Sequence, residues 1–261
     1  MQQMDTARAI KALLDWQAEL GADTALGDLP VDRYAVPPPA KPAPPVVAAP
    51  AVMPAEDDPV ARAAALAAAA PDLATLRTAM DGFDGCDLKH GARTLVFSDG
   101  VPGARVMILG EAPGRDEDMA GKPFVGRAGQ LLDQMLAAIG LSRAAPDPGA
   151  AVYISNLIPW RPPQNRKPTA QELAMMAPFA RRHLALADPD YLVLMGNSAC
   201  EGLLGLSGIT RLRGQWTELA GLPCLPMLHP AYLLRNPAAK REAWADLLAL
   251  RARLHPDETT P

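Results

Sequence analysis

Residues 106–132, VMILGEAPGRDEDMAGKPFVGRAGQLL, decide how this chain is organised. The first four, 106–109, are apolar and typical of a buried strand. From Gly110 the stretch is rich in Gly, Pro and acidic residues, which favours a long loop. A helix is predicted from Arg127, because apolar residues then recur on one helical face. Long loops within compact domains usually carry function, and Phe124 in this loop could stack on a flat ligand.

Three further apolar runs, separated by helical segments, predict an alternating α/β fold. The apolar runs are 152–158, 191–195 and 224–228, and the helical segments are 127–139, 170–187, 198–205 and 238–254. An additional strand is predicted near 94–97. Strands that alternate with helices form a mostly parallel sheet with helices on both faces. We therefore expect a three-layer α/β/α domain around a central four-stranded, mostly parallel sheet.

The composition predicts four parts along the chain. Residues 5–21 have an amphipathic helical pattern, whereas 36–54 contain eight prolines and cannot build a core. The expected parts are an N-terminal helical segment (1–35), a Pro/Ala-rich linker (36–58), an α/β domain (59–255) and a tail (256–261). The N-terminal segment either binds a protein partner or packs on its own domain, and its sequence does not choose between them.

Charge and cysteine usage narrow the class of protein. The formal net charge is −4, yet residues 156–251 hold eleven basic and seven acidic side chains. That local excess could follow a phosphate backbone or could simply be a solvated surface. Three cysteines without paired spacing argue against a disulfide framework. With no apolar run of about 20 residues and no signal peptide, we expect a cytoplasmic, nucleoid-associated protein without a membrane partner.

Polar, turn-forming residues follow each predicted strand. Glu111 comes after the first strand, Asn156 lies within the second, Gly196 follows the third and His229 follows the fourth. Ligands of parallel α/β sheets bind outside the carboxyl ends of the strands. The sequence therefore predicts that these groups share one site.

The residue types at this edge suit chemistry on a nucleobase. The Asn156 amide can read a base edge, and His229 can stabilise negative charge on a leaving base. Phe124 offers a stacking surface, and Leu233 with Leu234 could fill the gap left by an extruded base. Each residue taken alone could be structural. Together they predict an enzyme that flips a base out of DNA.

Four motifs resemble the uracil-DNA glycosylase superfamily, in particular its family-four branch. They are GEAPGRDEDMAGKPFVGRAGQLL (110–132), NLIPWRPPQNRKPT (156–169), ITRLRGQW (209–216) and HPAYLLRNP (229–237). The resemblance covers roughly residues 75–252. It implies hydrolysis of the N-glycosidic bond of deoxyuridine in single- or double-stranded DNA, which leaves an abasic site and starts base-excision repair.

The resemblance also implies roles for individual residues. Ala112 stands where the best-known branch has a catalytic aspartate, as the family-four pattern does, so Glu111 is the candidate to activate water. The implied catalytic residues are Glu111, Asn156 and His229. The implied uracil-binding residues are Gly110, Ala112, Gly114, Phe124, Asn156 and Asn165. The implied DNA-binding residues are Arg127, Arg161, Arg213, Leu233, Leu234 and Arg235.

Thermophile members of the family-four branch carry an iron–sulfur cluster, whose ligand positions are nearly all altered in this chain. Cys86 remains, whereas Phe83, Trp160 and Met176 stand at the other aligned positions. A four-iron cluster normally takes four thiolates. We therefore expect no cluster, no other metal and no organic cofactor, with the three replacements forming a small apolar cluster.

Two other functions remain open from the sequence. One is a glycosylase for another deaminated base, hypoxanthine or xanthine, because pocket shape decides the substrate. The other is a non-catalytic protein that binds uracil-containing or damaged DNA, or that associates with a polymerase. A monomer is the expected oligomeric state.

Overall fold

The computed structural model describes residues 58–256, which form one mixed sheet with helices packed on both faces. The strands are β1 (Asp99–Gly100), β2 (Val106–Gly110), β3 (Val152–Asn156), β4 (Tyr191–Met195), β5 (Thr217–Leu219) and β6 (Leu222–Met227). The helices are α1 (Pro59–Ala69), α2 (Leu73–Gly82), α3 (Leu88–Gly91), α4 (Arg115–Ala120), α5 (Arg127–Ala137), α6 (Ala170–Ala187), α7 (Asn197–Leu204), α8 (Ile209–Leu212), α9 (Pro230–Arg235) and α10 (Lys240–Leu254). Short 3-10 turns lie at Pro163–Asn165 and Pro237–Ala239.

The sheet has the strand order β1-β3-β2-β4-β6-β5. The four central strands pair in parallel, and the short strands β1 and β5 pair antiparallel at the two edges. The predicted three-layer α/β/α fold is confirmed, with six strands in the sheet instead of four. No strand forms at 94–97, where Val96 N–H makes a single backbone bond to the Pro159 carbonyl.

Alternation along the central strands creates two separate cores. In β2, Val106 and Ile108 pack with α5 and α10, whereas Met107 and Leu109 pack on the opposite face with α1, α2, α6 and α7. Every residue of β2 and β3 is buried, as expected for parallel strands covered on both faces. The carboxyl edge of the sheet is therefore held rigidly from both sides.

Residues outside the described range carry part of the predicted organisation. The helical segment 1–35, nearly all of the linker and residues 257–261 lie there. The boundaries near 35, 58 and 255 accordingly stay predictions. Among residues 58–256, none of the helices has the length and apolar character needed to cross a membrane.

A histidine buried under the sheet predicts a pH-dependent stability. His183 Nε2 lies 2.8 Å from the Tyr153 hydroxyl, and its ring stacks on Phe97 at 4.3 Å. Burial lowers the pKa of His183 from 6.5 to about 4. Between pH 6.5 and about 4, His183 is therefore protonated in the unfolded chain and neutral in the folded chain. The free energy of unfolding is therefore unaffected by His183 above pH 6.5. It decreases by up to about 3 kcal/mol as the pH falls from 6.5 towards 4.

Urea unfolding at a series of pH values between 7 and 4 checks this expectation. The variant His183→Gln keeps a polar partner for Tyr153 but cannot titrate. We expect its unfolding free energy to fall less steeply with acid than that of the wild type. Parallel curves for the two proteins would show that His183 is not responsible.

Candidate functional site

The carboxyl ends of the four central strands meet around one cavity of about 590 Å³. The register pairs Gly110 at the end of β2 with Asn156 at the end of β3. On the other side, Gly196 N–H donates to the Met227 carbonyl, which brings the end of β4 beside the end of β6. The sequence-predicted residues that line the cavity are Glu111, Ala112, Gly114, Phe124, Asn156, Asn165, His229 and Arg235.

Asn156 presents an unpartnered amide to this cavity. Its side chain is buried, with 5 % exposed. Among the described residues no hydrogen bond satisfies its Oδ1 or Nδ2, and Asn156 lines the cavity. No fully buried side-chain nitrogen or oxygen of the described residues lacks a partner, so the unpaired Asn156 amide keeps contact with solvent. The arrangement is therefore prepared for a ligand that both donates and accepts a hydrogen bond.

His229 caps α9 and keeps one ring nitrogen for the cavity. Its Nδ1 accepts a hydrogen bond from Ala231 N–H at 3.1 Å. Burial, with a smaller effect of the positive charge of Arg235, lowers the pKa of His229 to about 4. The ring is therefore neutral near pH 7 with its proton on Nε2, because Nδ1 is the acceptor. One N–H donor, on an uncharged ring, is therefore available to a ligand in the cavity.

Phe124 forms another wall beside His229. Their ring centroids lie 5.4 Å apart with planes 26° apart, and the Phe124 side chain is buried. Its backbone has φ +53°, in the left-handed region that a phenylalanine seldom adopts. This conformation turns the aromatic ring back towards the strand ends.

Gly110 is packed so closely that no side chain fits there. A Cβ at this position would overlap Asn156 Oδ1 and would lie 2.6 Å from the Phe124 ring. We expect Gly110→Ala to displace the amide and the aromatic ring together and to lower the catalytic rate about tenfold or more, since about 1 Å of misplacement is costly. The single-turnover rate of the base release that the sequence predicts, compared between the variant and the wild type, measures this effect.

A matched control for Gly110→Ala is Gly82→Ala, because a Cβ at Gly82 meets nothing within 4 Å. The control should leave the rate unchanged. An unchanged rate in Gly110→Ala as well would show that close packing at the strand end does not position the site.

Glu111 and its turn differ from the predicted arrangement in one respect. Glu111 Oε2 accepts a hydrogen bond from Ser198 Oγ at 2.6 Å, so the carboxylate is held at the first turn of α7, which follows β4. Gly114, implied as a uracil-binding residue, lines the cavity, but its N–H donates to Glu117 Oε2 at 3.0 Å. That N–H is therefore not available to a ligand, and a contact through other atoms of Gly114 stays a prediction.

The predicted DNA contacts separate into exposed and internal residues. Arg235 lines the cavity, and Leu234 beside it is 36 % exposed. Leu233, predicted as part of an apolar wedge, is buried in the core and is not available to DNA. Arg213 is bound by the buried carboxylate of Asp246 and is likewise engaged within the domain.

Two other predicted DNA contacts lie close to the cavity without lining it. Arg127 is exposed at the start of α5, next to the lining residue Ala128. Arg161 Nε donates to Asn165 Oδ1 at 2.7 Å, which orients the Asn165 amide at the cavity wall. These two arginines therefore stay predictions as contacts to a ligand.

Several cavity residues were not foreseen from the sequence. Glu117 accepts hydrogen bonds from the N–H groups of Gly114, Val125 and Gly126 and so closes the long loop on itself. Lys167 lines the mouth and forms no ion pair within residues 58–256. The acidic first turn of α4 signals a helix start for Glu117, but no motif spacing indicates its loop contacts.

Comparison with known proteins gives a consistent family. The model of the Uracil DNA glycosylase superfamily matches residues 97–248. A type-4 uracil-DNA glycosylase of Thermotoga maritima is 37% identical over 58% of this chain and 77% of its own length. A type-4 enzyme of Archaeoglobus fulgidus is 36% identical over 62% of this chain and 82% of its own. A type-4 enzyme of Pyrobaculum aerophilum is 33% identical over 67% of this chain and 91% of its own length.

The comparison corrects the prediction that no cofactor is present. A type-4 assignment implies the iron–sulfur cluster of that branch, so the expectation of none conflicts with the family. The described residues alone do not supply a matching donor set, because Cys86 lies buried in one apolar cluster with Phe83, Trp160 and Met176.

Proposed function

Since the chain belongs to the uracil-DNA glycosylase superfamily and is a glycosylase that acts on uracil in DNA, we propose that the cavity at the sheet edge is its active site. A base within a duplex is inaccessible there, so the deoxyuridine must leave the stack and enter the cavity. The observation that carries the proposal is that the Asn156 amide, which has no hydrogen-bond partner among the described residues, lines the same cavity as His229, whose Nδ1 is occupied.

Asn156 would recognise the base by its edge. Uracil presents a carbonyl acceptor next to an N–H donor, and the Asn156 amide presents the complementary donor and acceptor. Because the amide has no partner among the described residues before the base arrives, the hydrogen bonds form without displacing a protein group. A base that cannot supply both groups leaves the amide unsatisfied, which is costly in a buried site.

His229 would stabilise the leaving group. As the bond between N1 of uracil and C1′ of the sugar breaks, its electron pair remains on uracil and charge spreads to the carbonyl oxygens. The Nε2–H of a neutral His229 donates to that oxygen, and the donor is fixed before the reaction because α9 holds Nδ1. Preorganised donors at the position of developing charge are usually the largest single contribution to catalysis.

Glu111 would orient the water that attacks C1′. Its Oε2 is fixed by Ser198, and its Oε1 has no hydrogen-bond partner in the described part of the chain, while Glu111 lines the cavity. The water oxygen bonds to C1′ and gives up a proton to solvent, and the uracil anion takes up a proton from solvent, so the products are uracil and an abasic sugar. A sugar with oxocarbenium character needs little nucleophilic assistance, so Glu111 contributes less than His229 in this account.

The mouth of the cavity would hold the DNA strand. Arg235 and Lys167 can approach phosphates on either side of an extruded nucleotide. Leu234 is exposed beside Arg235 and can fill the space that the base vacates. A monomeric state, a nucleoid-associated cytoplasmic location and a partner for residues 1–35 stay predictions.

The test compares three damaged bases on otherwise identical oligonucleotides. Single- and double-stranded DNA with one deoxyuridine, deoxyinosine or deoxyxanthosine is incubated with the full chain, and abasic sites are cut with alkali. We expect cleavage at deoxyuridine. Cleavage only at deoxyinosine or deoxyxanthosine would assign the pocket to another base, and binding without any cleavage would refute the catalytic roles.

A further inference from the structure

Arg143 binds the backbone of the loop that carries the stacking ring, although it lies nineteen residues further along the chain. It precedes β3, and its side chain is 14 % exposed. The guanidinium donates to the Pro123 carbonyl and to the Phe124 carbonyl, each at 2.9 Å. It also forms ion pairs with Asp99 at 3.1 Å and Asp133 at 2.8 Å. One side chain thus links β1, α5 and the Phe124 turn.

The Phe124 turn needs such support, because its backbone conformation is unfavourable by itself. A non-glycine residue at φ +53° costs on the order of 1 kcal/mol and persists only where the surroundings impose it. On the amide side, Glu117 accepts from Val125 N–H and Gly126 N–H. Arg143 holds the carbonyl side. The turn is therefore clamped at both of its polar faces.

A close backbone contact completes the clamp. Gly129 in α5 packs so tightly on the Phe124 carbonyl that a Cβ there would overlap it. The turn is pressed against α5 by this contact, and Arg143 bonds to the same carbonyl. The direction of the Phe124 ring is thus fixed from outside the cavity.

We propose that Arg143 is a positioning residue for base recognition: it sets the orientation of the Phe124 ring by binding the carbonyls of Pro123 and Phe124. The inference rests on the proposed function, in which Phe124 stacks on the flipped base. Arg143 does not line the cavity, so its effect must pass through the turn. The two carboxylates fix the plane of the guanidinium, and a lysine cannot reproduce that fork.

A double-mutant cycle tests this route of action. Single-turnover uracil release is measured for Arg143→Met, Phe124→Ala and the double variant. We expect each single variant to release uracil about tenfold more slowly than the wild type, an effect typical of the loss of one base-stacking contact. The double variant should be no slower than Phe124→Ala, because Arg143 has nothing left to position. If Arg143→Met slowed uracil release by the same factor in the wild-type background and in the Phe124→Ala background, the proposal would be overturned.

A matched control is Arg105→Met. Arg105 also pairs with a carboxylate, Asp190, and donates to a backbone carbonyl, that of Leu254, but it is remote from the cavity. We expect wild-type uracil release from this control. A loss equal to that of Arg143→Met would assign the effect to general destabilisation and contradict the proposal. If Arg143→Met does not fold, Arg143→Lys enters the same cycle with the same criteria.

A spectroscopic measurement tests the proposal without relying on activity. The chain has four phenylalanines, so 4-fluorophenylalanine labelling gives four fluorine resonances. The resonance of residue 124 is assigned by its loss in Phe124→Leu. We expect Arg143→Met to shift or broaden that resonance and to leave the others in place. An unmoved resonance would refute the positioning role even if the protein cleaves deoxyuridine, whereas absent cleavage with a moved resonance would refute the proposed function alone.

Discussion

Replacement of His229 by alanine is expected to slow uracil release by about 10²- to 10³-fold, the loss seen when one preorganised donor to a developing anion is removed. The Nε2–H of His229 is the donor in question, and its direction is fixed because Nδ1 caps α9. Binding of uracil-containing DNA should change much less, because this hydrogen bond strengthens as charge develops on the base. Single-turnover rates and equilibrium binding, measured on the same oligonucleotide, separate the two effects.

Loss of the cap is the main complication in His229→Ala, since Ala231 N–H loses its acceptor. His229→Asn addresses it, because asparagine is a favourable N-cap residue but cannot place a donor where Nε2 lies. We expect this variant to unfold near the wild-type midpoint and to remain slow. His90→Ala removes an exposed histidine and should leave the rate unchanged. Full activity in His229→Asn would assign the histidine a purely structural role.

The protonation state of His229 gives a further expectation for the same measurement. With a pKa lowered to about 4, His229 stays neutral where an ordinary histidine would titrate near 6.5. The rate should therefore show no step attributable to this residue from about pH 8 down to about pH 5.5. A step near 6.5 that disappears in His229→Asn would contradict the neutral-donor account.

Replacement of Asn156 by alanine is the second large effect, expected to slow uracil release by about 10²-fold or more. Two hydrogen bonds to the base edge are lost in a buried site, each of which costs about 1–3 kcal/mol when left unmade. The free protein should tolerate the change well, since the Asn156 side chain has no hydrogen-bond partner among the described residues. The rate should fall while the urea midpoint stays near that of the wild type.

Ser155 supplies the matched control for Asn156. Ser155 Oγ donates to the Phe97 carbonyl at 2.7 Å on the side of β3 away from the cavity. Ser155→Ala therefore removes a satisfied buried polar group and should lower stability more than activity. The opposite pattern, with Asn156→Ala unstable but active, would show that the amide serves the fold and not the substrate.

Much of the fold follows from the sequence because the central strands are largely apolar runs of five or six residues, separated by helical segments. The strands predicted at 106–109 and 191–195 correspond to β2 and β4, and the helix predicted at 170–187 has the observed bounds. The edge strands β1 and β5 span two and three residues, too short for an alternation signal. Their pairing depends on neighbours that only the folded chain provides.

The candidate site could be predicted where strand ends place functional groups, and not where contacts join distant segments. Asn156 and His229 were identified because parallel strands bring their carboxyl ends together. Leu233 was misassigned because its turn away from solvent follows from the packing of α9 on α5. The sequence does not predict the roles of Glu117 and Arg143, because both side chains bind backbone N–H or carbonyl groups of the Phe124 loop. Such contacts do not depend on which side chains the loop carries, so no sequence motif indicates them.

The central claim is that one cavity, through Asn156 and His229, removes uracil from DNA. Its most direct test is free uracil released in a single turnover from DNA with one deoxyuridine, measured together with the fraction of DNA bound. We expect release by the wild type and by Arg105→Met, and loss of release with DNA binding retained in Asn156→Ala and His229→Ala. Undiminished release by both cavity variants would contradict it.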